Sequence, residues 1–287
     1  MPDLCLAEPL HLRAPAKINL GLEIVGKRLD GYHEIVTILQ TVDLADEIVL
    51  TPAKHFSYTP DPRIPAELDL MRRALSRLRS RLGLSLRAHV QVRKRIPISA
   101  GLGGGSSDAG TLLSALGRLA AIPDAELLPI AAELGSDVPF FVRGGTALAT
   151  GTGTDLEPLP LPNAPFSLVL VVPDVQIPQK TAALYASLSA NDFSDGASTR
   201  RLAEQIRRGD QVDNTLLRNA FARALYTYPA IAAAREALLQ AGASAVLPSG
   251  AGPSLIGIFP DKGSTDAALT DWPSDRRFLP RLVAALR

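Results

Sequence analysis

The chain has 287 residues, 46% of them hydrophobic and 21% charged, with a formal net charge of +1. That length allows one large domain or two ordinary ones with a sizeable core, and the near-neutral balance argues against wholesale nucleic-acid binding. Cys5 is the single cysteine and cannot form an internal disulfide, no long apolar run follows a basic N-terminus, and no stretch is apolar enough to cross a bilayer; the expectation is a soluble, cytoplasmic protein without a membrane span.

Residues 10–24, "LHLRAPAKINLGLEI", alternate with period two, which predicts strand. Leu10, Leu12, Ala14, Ala16, Ile18, Leu20, Leu22 and Ile24 share the core face. Lys17 and Asn19 project together from the other. Pro15 has no amide hydrogen and predicts two strands or an edge broken there. "DGYH" carries a tight-turn dipeptide. "IVTILQTVDLADEIVL" then reads as strand, turn, strand. Residues 67–83 read as a basic helix, and "LRAHVQVRKRIP" as a strand ending at Pro97. No Asp or Glu occurs from Leu70 to Ser107, a window that holds eight arginines and Lys94. Such a run is either a solvated basic surface or a positive field beside an anion site.

Gly101, Gly103, Gly104 and Gly105 follow, then Ser106 and Ser107, and then Ala109, Leu112, Leu113 and Leu116 at helical spacing. A loop that brings several backbone N–H groups to one phosphate must be bare of side chains, and a helix starting there adds unpaired N–H groups and the positive end of its dipole. The plainer reading is a flexible turn with an ordinary cap. Walker, dinucleotide-binding, protein-kinase and GxSxG patterns are absent. With one cysteine and histidines at 11, 33, 55 and 89, no zinc-ligand spacing exists.

"PDAELLPIAAELG" predicts a helix stopped by Gly135. Asp137 in "ELGSDVPFF" is either a helix cap ahead of Pro139 or a carboxylate among apolar walls. Pro158, Pro160, Pro162 and Pro165 cluster, and a domain boundary is placed near residue 160, dividing the chain into 1–160 and 161–287. Beyond it, a buried strand ("FSLVLVVP") is followed by helices near 179–189, 199–208, 214–225 and 230–241, and by strand, glycine loop, strand in "ASAVLPSGAGPSLIGIF". "SANDFSDGAST" reads as a mobile surface loop. A phosphate loop, a lysine and an aspartate together suggest phosphoryl transfer to a hydroxyl, a chemistry of positioning and charge neutralisation.

"PISAGLGGGSSDAG" resembles the phosphate loop of the GHMP kinases, the superfamily of galactokinase, homoserine kinase and mevalonate kinase. "APAKINLGL", "DGYHEIVT", "ELGSDVPFFVRGGTALATGTG" and "PSGAGPSLIGIF", in that order, are similar to a branch of it that serves the non-mevalonate (MEP) route to isoprenoids. The resemblance implies an α/β (α+β) GHMP kinase fold of two domains, the N-terminal one like ribosomal protein S5 domain 2 and the C-terminal one ferredoxin-like. It implies an ATP-dependent kinase acting on the 2-hydroxyl of a small, cytidine diphosphate-linked acceptor, with Mg2+ accompanying ATP and with no nucleic acid, membrane or obligatory protein partner.

The same resemblance implies Lys17 as the catalytic lysine and Asp137 as the base. ATP would lie on Pro97, Gly101, Leu102, Gly103, Gly104, Gly105, Ser106 and Ser107. Asn19 would hold the acceptor. Tyr32 and His33 would hold cytosine by stacking and by its polar edge, with Tyr185 on the opposite face of the base. Asp69 stands where the family commonly has asparagine. Two other readings are open: a GHMP kinase for another small acceptor such as homoserine or mevalonate, and a non-enzymatic nucleotide or RNA binder using the arginine run. "DGYH" speaks against the first, and Lys17 with Asp137 against the second.

Overall fold

The computed structural model describes residues 3–162, 167–270, 272 and 280–286; Pro165 of the proline cluster and Phe166 of the following strand lie outside them. The strands are β1 (Asp3–Cys5), β2 (Leu10–Lys27), β3 (His33–Pro52), β4 (Ser57–Thr59), β5 (Ser85–Arg93), β6 (Thr146–Thr150), β7 (Asp155–Leu159), β8 (Ser167–Val171), β9 (Arg218–Asn219), β10 (Ala245–Pro248), β11 (Leu255–Phe259) and β12 (Pro280–Val283). The helices are α1 (Leu70–Leu82), α2 (Gly104–Leu119), α3 (Asp124–Leu134), α4 (Val138–Arg143), α5 (Lys180–Ala186), α6 (Ala197–Arg208), α7 (Ala222–Leu225), α8 (Pro229–Gln240) and α9 (Lys262–Thr270).

The chain forms two compact units, each discontinuous in sequence. The first comprises residues 1–16, 44–98 and 103–144, and the second residues 17–43, 99–102 and 145–287. Strands β2 and β3 contribute to both.

In the first unit, β5 pairs antiparallel with the C-terminal half of β3 and parallel with β1 and β4. Helices α1 to α4 pack together and cover a core that includes Ile48, Leu50, Leu78, Val90, Leu112, Leu113, Leu116 and Ile130. The basic helix forms as its spacing predicts. Met71, Ala74 and Leu78 face inward, the Asp69 carboxylate accepts the Arg72 N–H at 3.0 Å as an N-cap, and Gly83 ends the helix in the left-handed region. Part of the arginine run is paired: Arg77 and Arg81 reach Glu133, and Arg93 and Arg95 reach Glu47. Both glutamates lie outside the acid-free window.

In the second unit, β10, β11, β8 and β12 form an antiparallel sheet in that order. Numbered along the chain, this is the strand order of the split β-α-β-β-α-β unit, and it bears out the expected ferredoxin-like half. Helix α8 packs on β10 and β11, and α9 on β8, β11 and β12. Leu22, Val169, Val171, Phe221, Leu225, Ile231, Leu238 and Phe259 share its core. The N-terminal half of β3 pairs with β6, β6 pairs with β7, and β9 joins β2 at Gly21 and Leu22.

Four local expectations are corrected. Strand β2 runs through Pro15 unbroken, because β9 meets it only at Gly21–Leu22 and the proline lies on a stretch flanked by β3 alone. "IVTILQTVDLADEIVL" is one strand, not two: the Asp46 carboxylate, which would favour a turn, is buried and accepts the N–H groups of Arg95 and Ile96 instead. Residues 214–225 are not one helix. Asn219 donates to the carbonyls of Pro248 and Gly250 and accepts the Phe221 N–H, which holds the stretch as the bridge β9 before α7 begins. The segment read as a mobile loop is pinned: Ser194 donates through its backbone to the Ile24 carbonyl and through its hydroxyl to Glu23, and Asp192 is paired with Arg223.

Candidate active site

Along β2, alternation predicts one wet face, yet residues 16–24 are buried on both. Lys17 is only 5% exposed and Asn19 3%. Burying an ammonium demands partners. Lys17 Nζ donates to Asn19 Oδ1 at 2.7 Å, Asn19 Nδ2 donates to Thr37 Oγ1 at 2.8 Å, and Thr37 Oγ1 donates to the Gly21 carbonyl at 2.6 Å. This chain fixes which end of the amide faces the lysine. It leaves one N–H and one lone pair of Asn19 for another group.

Two turns of the second unit border this lysine. The Lys17 N–H donates to the Leu102 carbonyl at 3.0 Å. A side chain on Gly250 would lie 3.1 Å from Lys17 Nζ and 3.3 Å from Asn19 Oδ1. Gly101 is glycine for a reason that the phosphate-loop argument did not contain. Its φ is +83°, and a Cβ there would sit 2.3 Å from the Ser249 carbonyl oxygen and 2.8 Å from that of Gly252. Ser249 Oγ closes the same junction by donating to the Gly101 carbonyl. Gly101→Ala is therefore expected to destabilise the protein by about 2 kcal/mol or more, from the left-handed backbone and the carbonyl clash together. Chemical denaturation checks this, and an unchanged midpoint would refute it.

In the first unit, the rest of the glycine run opens α2. Gly103 is the N-cap in the left-handed conformation and offers no side-chain cap, so the first-turn N–H groups have neither an intrahelical nor a side-chain acceptor. Ser107 is fully buried, and its hydroxyl donates to the Pro15 carbonyl at 2.6 Å; Ser106 is half-buried. A Cβ on Gly104 would meet Ile96 at 3.1 Å and Lys94 Nζ at 3.3 Å, so its bareness also serves packing. Gly105 is exposed, and a Cβ there would meet only Leu70, at 3.9 Å. That makes Gly105 the clean test of the loop. If the loop receives phosphate, Gly105→Val is expected to fold normally and to weaken ATP binding at least about tenfold, because the branched chain would stand where phosphate oxygens approach the backbone. Calorimetry with a non-hydrolysable ATP analogue checks it, and unchanged affinity would mean that the loop binds no phosphate.

Helix α2 also positions Asp137. A Cβ on Gly110 would lie 2.6 Å from the Phe141 side chain and 2.9 Å from the Val138 carbonyl, so glycine lets α4 lie close against α2. Asp137 is the N-cap residue of α4, half-buried before buried Val138, Pro139 and Phe140, but its side chain makes no capping hydrogen bond. The cap reading of this aspartate therefore fails. Near the start of α2, Lys94 is paired with both Asp46 and Asp108, all three nearly inaccessible. Burial pushes the Asp108 carboxyl up to about 7 against the pull of Lys94.

The residues expected at the base-binding end lie in the second unit. His33 stacks on Tyr185 with ring centroids 4.6 Å apart and an interplanar angle of 27°. Phe193 meets His33 edge-on, and Phe221 meets Tyr185 edge-on. Tyr32 stands 67% exposed. Burial, and then the charge of Lys27, hold the His33 imidazolium below its ordinary pKa, so the ring is neutral near pH 7 and offers one donor and one acceptor. The turn at 249–252 was read in the sequence as a glycine loop without a role at the site, and the rings of Phe193 and Phe221 and the ammonium of Lys180 were given none either.

Family models match two stretches of the chain: "GHMP kinases N terminal domain" over residues 69–145 and "GHMP kinases C terminal" over residues 199–275. A Dehalococcoides mccartyi protein named 4-diphosphocytidyl-2-C-methyl-D-erythritol kinase is 39% identical over 262 residues, covering 90% of this chain and 92% of that one. A Solibacter usitatus protein of the same name is 38% identical over 96% of this chain and 90% of its own. The crystal structure of a 4-(cytidine 5'-diphospho)-2C-methyl-D-erythritol kinase superposes with a TM-score of 0.79 at 30% identity, covering 96% of this chain and 99% of that chain. A homoserine kinase from Cytophaga hutchinsonii shares the fold, with a TM-score of 0.72 at 18% identity.

Proposed function

Since the chain belongs to the 4-diphosphocytidyl-2-C-methyl-D-erythritol kinases, a family of the GHMP kinases, we propose that it moves the γ-phosphoryl group of ATP to the 2-hydroxyl of that cytidyl-linked methylerythritol. It is an ATP-dependent small-molecule kinase of isoprenoid precursor synthesis. The observation that carries the mechanism is the buried Lys17 ammonium, held in one orientation by Asn19.

The 2-hydroxyl oxygen forms the new bond to phosphorus as the bond to the β–γ bridging oxygen breaks and ADP leaves. Asp137 orients the hydroxyl and takes its proton. Lys17 offsets charge on the phosphoryl oxygens, and the bare first turn of α2, from Gly103 to Ser106, receives the phosphates of ATP. Pro97 and Leu102 shape the same run. Asn19 uses its remaining N–H on the acceptor. Among the described residues no three His, Cys, Asp or Glu side chains cluster to hold a metal. The hard oxygen of Ser106 fits a magnesium ion that comes with ATP, and such an ion would neutralise phosphate charge. The family halves are assigned to residues 1–160 and 161–287 as a division of the sequence, with the matched stretches on either side of the boundary. A cytoplasmic setting belongs to the same proposal and suits the free thiol of Cys5. No helix among the described residues is long and apolar enough to cross a membrane.

Cytosine presents a flat face and a donor–acceptor edge. The exposed ring of Tyr32 and the neutral edge of His33 match both; the Tyr185 ring, expected on the opposite face of the base, is stacked on His33 instead. The test is an acceptor panel: the cytidyl substrate against methylerythritol phosphate, homoserine and mevalonate. Only the first is expected to be phosphorylated, since buried polar groups left unpaired reject the others. Tyr32→Ala is expected to raise KM for the cytidyl substrate about five- to 150-fold, the equivalent of 1–3 kcal/mol of stacking, and to leave KM for ATP near its original value. Equal activity on homoserine or mevalonate would overturn the assignment.

A further inference from the structure

Lys180 opens α5, and its ammonium turns inward within the second unit. It donates to the Ser99 carbonyl at 2.6 Å and to the Gly252 carbonyl. Both carbonyls belong to the turns that border Lys17. Ser99 stands two residues before Gly101 with a φ of +57°, a conformation that costs energy for a residue with a Cβ and that places strain beside a site. Gly252 lies in the turn whose Gly250 abuts Lys17 Nζ. An ammonium has three N–H groups. Two are taken by these carbonyls, and among the described residues neither an acceptor for the third nor a carboxylate partner is present.

Burial, and then the positive charge of Lys17, pull Lys180 down to about 8. Two ammonium groups thus act on one another at the same pair of turns. Bridging two carbonyls needs only a neutral donor, and a second cation there costs electrostatic free energy until an anion arrives. Resting on the kinase reading above, we propose that Lys180 is a catalytic residue that brings a second positive charge to the phosphoryl group in transfer, beside Lys17. The third N–H points the charge at phosphoryl oxygens while the other two hold the Ser99 and Gly252 turns at a fixed distance from it. Nothing in the sequence around "PQKTAALY" signals this, because a single lysine at a helix start has no pattern.

The test compares Lys180→Met with the parent protein by steady-state kinetics on the cytidyl substrate and by calorimetry with ADP. The expected result is a fall in kcat of about tenfold or more with ADP affinity within about twofold. A kcat within twofold of the parent overturns the proposal. So does a loss of ADP affinity as large as the loss in kcat, which is the mark of turns that have merely loosened. A second measurement needs no variant. The parent protein is acylated briefly at pH 8 with an amine-directed reagent, with and without a non-hydrolysable ATP analogue and magnesium, and the lysines are read by mass spectrometry. Protection of Lys180 by the analogue supports the proposal, and an unchanged rate overturns it. A parent protein that fails to phosphorylate the cytidyl substrate sinks the parent reading instead, and the protection experiment then decides Lys180 by itself.

Discussion

Asp137→Asn is expected to lower kcat by about 10²–10⁴-fold, the range for loss of a general acid–base group, while both substrates still bind. Asparagine has the shape of aspartate but neither its charge nor its capacity to take a proton. The fold has little reason to change. The side chain of Asp137 does not cap α4, and the helix is held instead by buried Val138, Phe140 and Phe141 and by the close approach of α2 at Gly110. Turnover is the discriminating quantity. Because phosphoryl transfer runs through a loose transition state, the loss falls at the lower end of the range if Asp137 mainly positions the hydroxyl, and at the upper end if it also removes the proton. Steady-state kinetics together with a melting curve checks the expectation. A kcat within a few-fold of the parent would remove Asp137 from the mechanism.

Lys17→Ala is expected to cost on the order of 3 kcal/mol in transition-state stabilisation, a fall of about 10²-fold or more in kcat/KM. It carries a second, separable effect. Asn19 Oδ1 loses the donor 2.7 Å away inside a nearly inaccessible layer, and a buried acceptor left without a partner costs about 1–3 kcal/mol of stability. The two effects are read in different experiments: kinetics at a temperature where the variant is folded, and the denaturation midpoint. If only KM for ATP rose, Lys17 would serve ground-state binding, and its place in the transition state would be lost.

Much of the local chemistry was legible in the sequence because it depends on neighbours along the chain. Period two in β2 put Lys17 and Asn19 on one face, and a 2.7 Å hydrogen bond joins them. A run of four glycines in five positions followed by helical spacing marked the first turn of α2. Pro129 inside α3 did not hide that helix, and Gly135 ended it where expected. Other features were illegible because they depend on residues far away. The arginine run read as either a solvated surface or a positive field, and nothing local showed that Glu47 and Glu133, on β3 and α3, pair with four of its arginines.

The glycines divide in the same way. From the sequence, Gly101 and Gly105 were equivalent members of a phosphate loop. The fold separates them: Gly101 is required by a carbonyl of a turn nearly 150 residues later in the chain, whereas a Cβ on Gly105 would meet only Leu70, at ordinary contact distance. What the amino-acid order determined by itself was the set of parts, namely the family, the strand that carries the lysine, the bare helix start and the aspartate before a proline, since periodicity, turn chemistry and motif are short-range properties. What only the tertiary structure decided was the burial of both faces of β2, the stacking of His33 on Tyr185 and the approach of Lys180 to the turns beside Lys17. Burial, ring contact and the mutual action of charges are set by which distant segments pack together, and no local pattern records that.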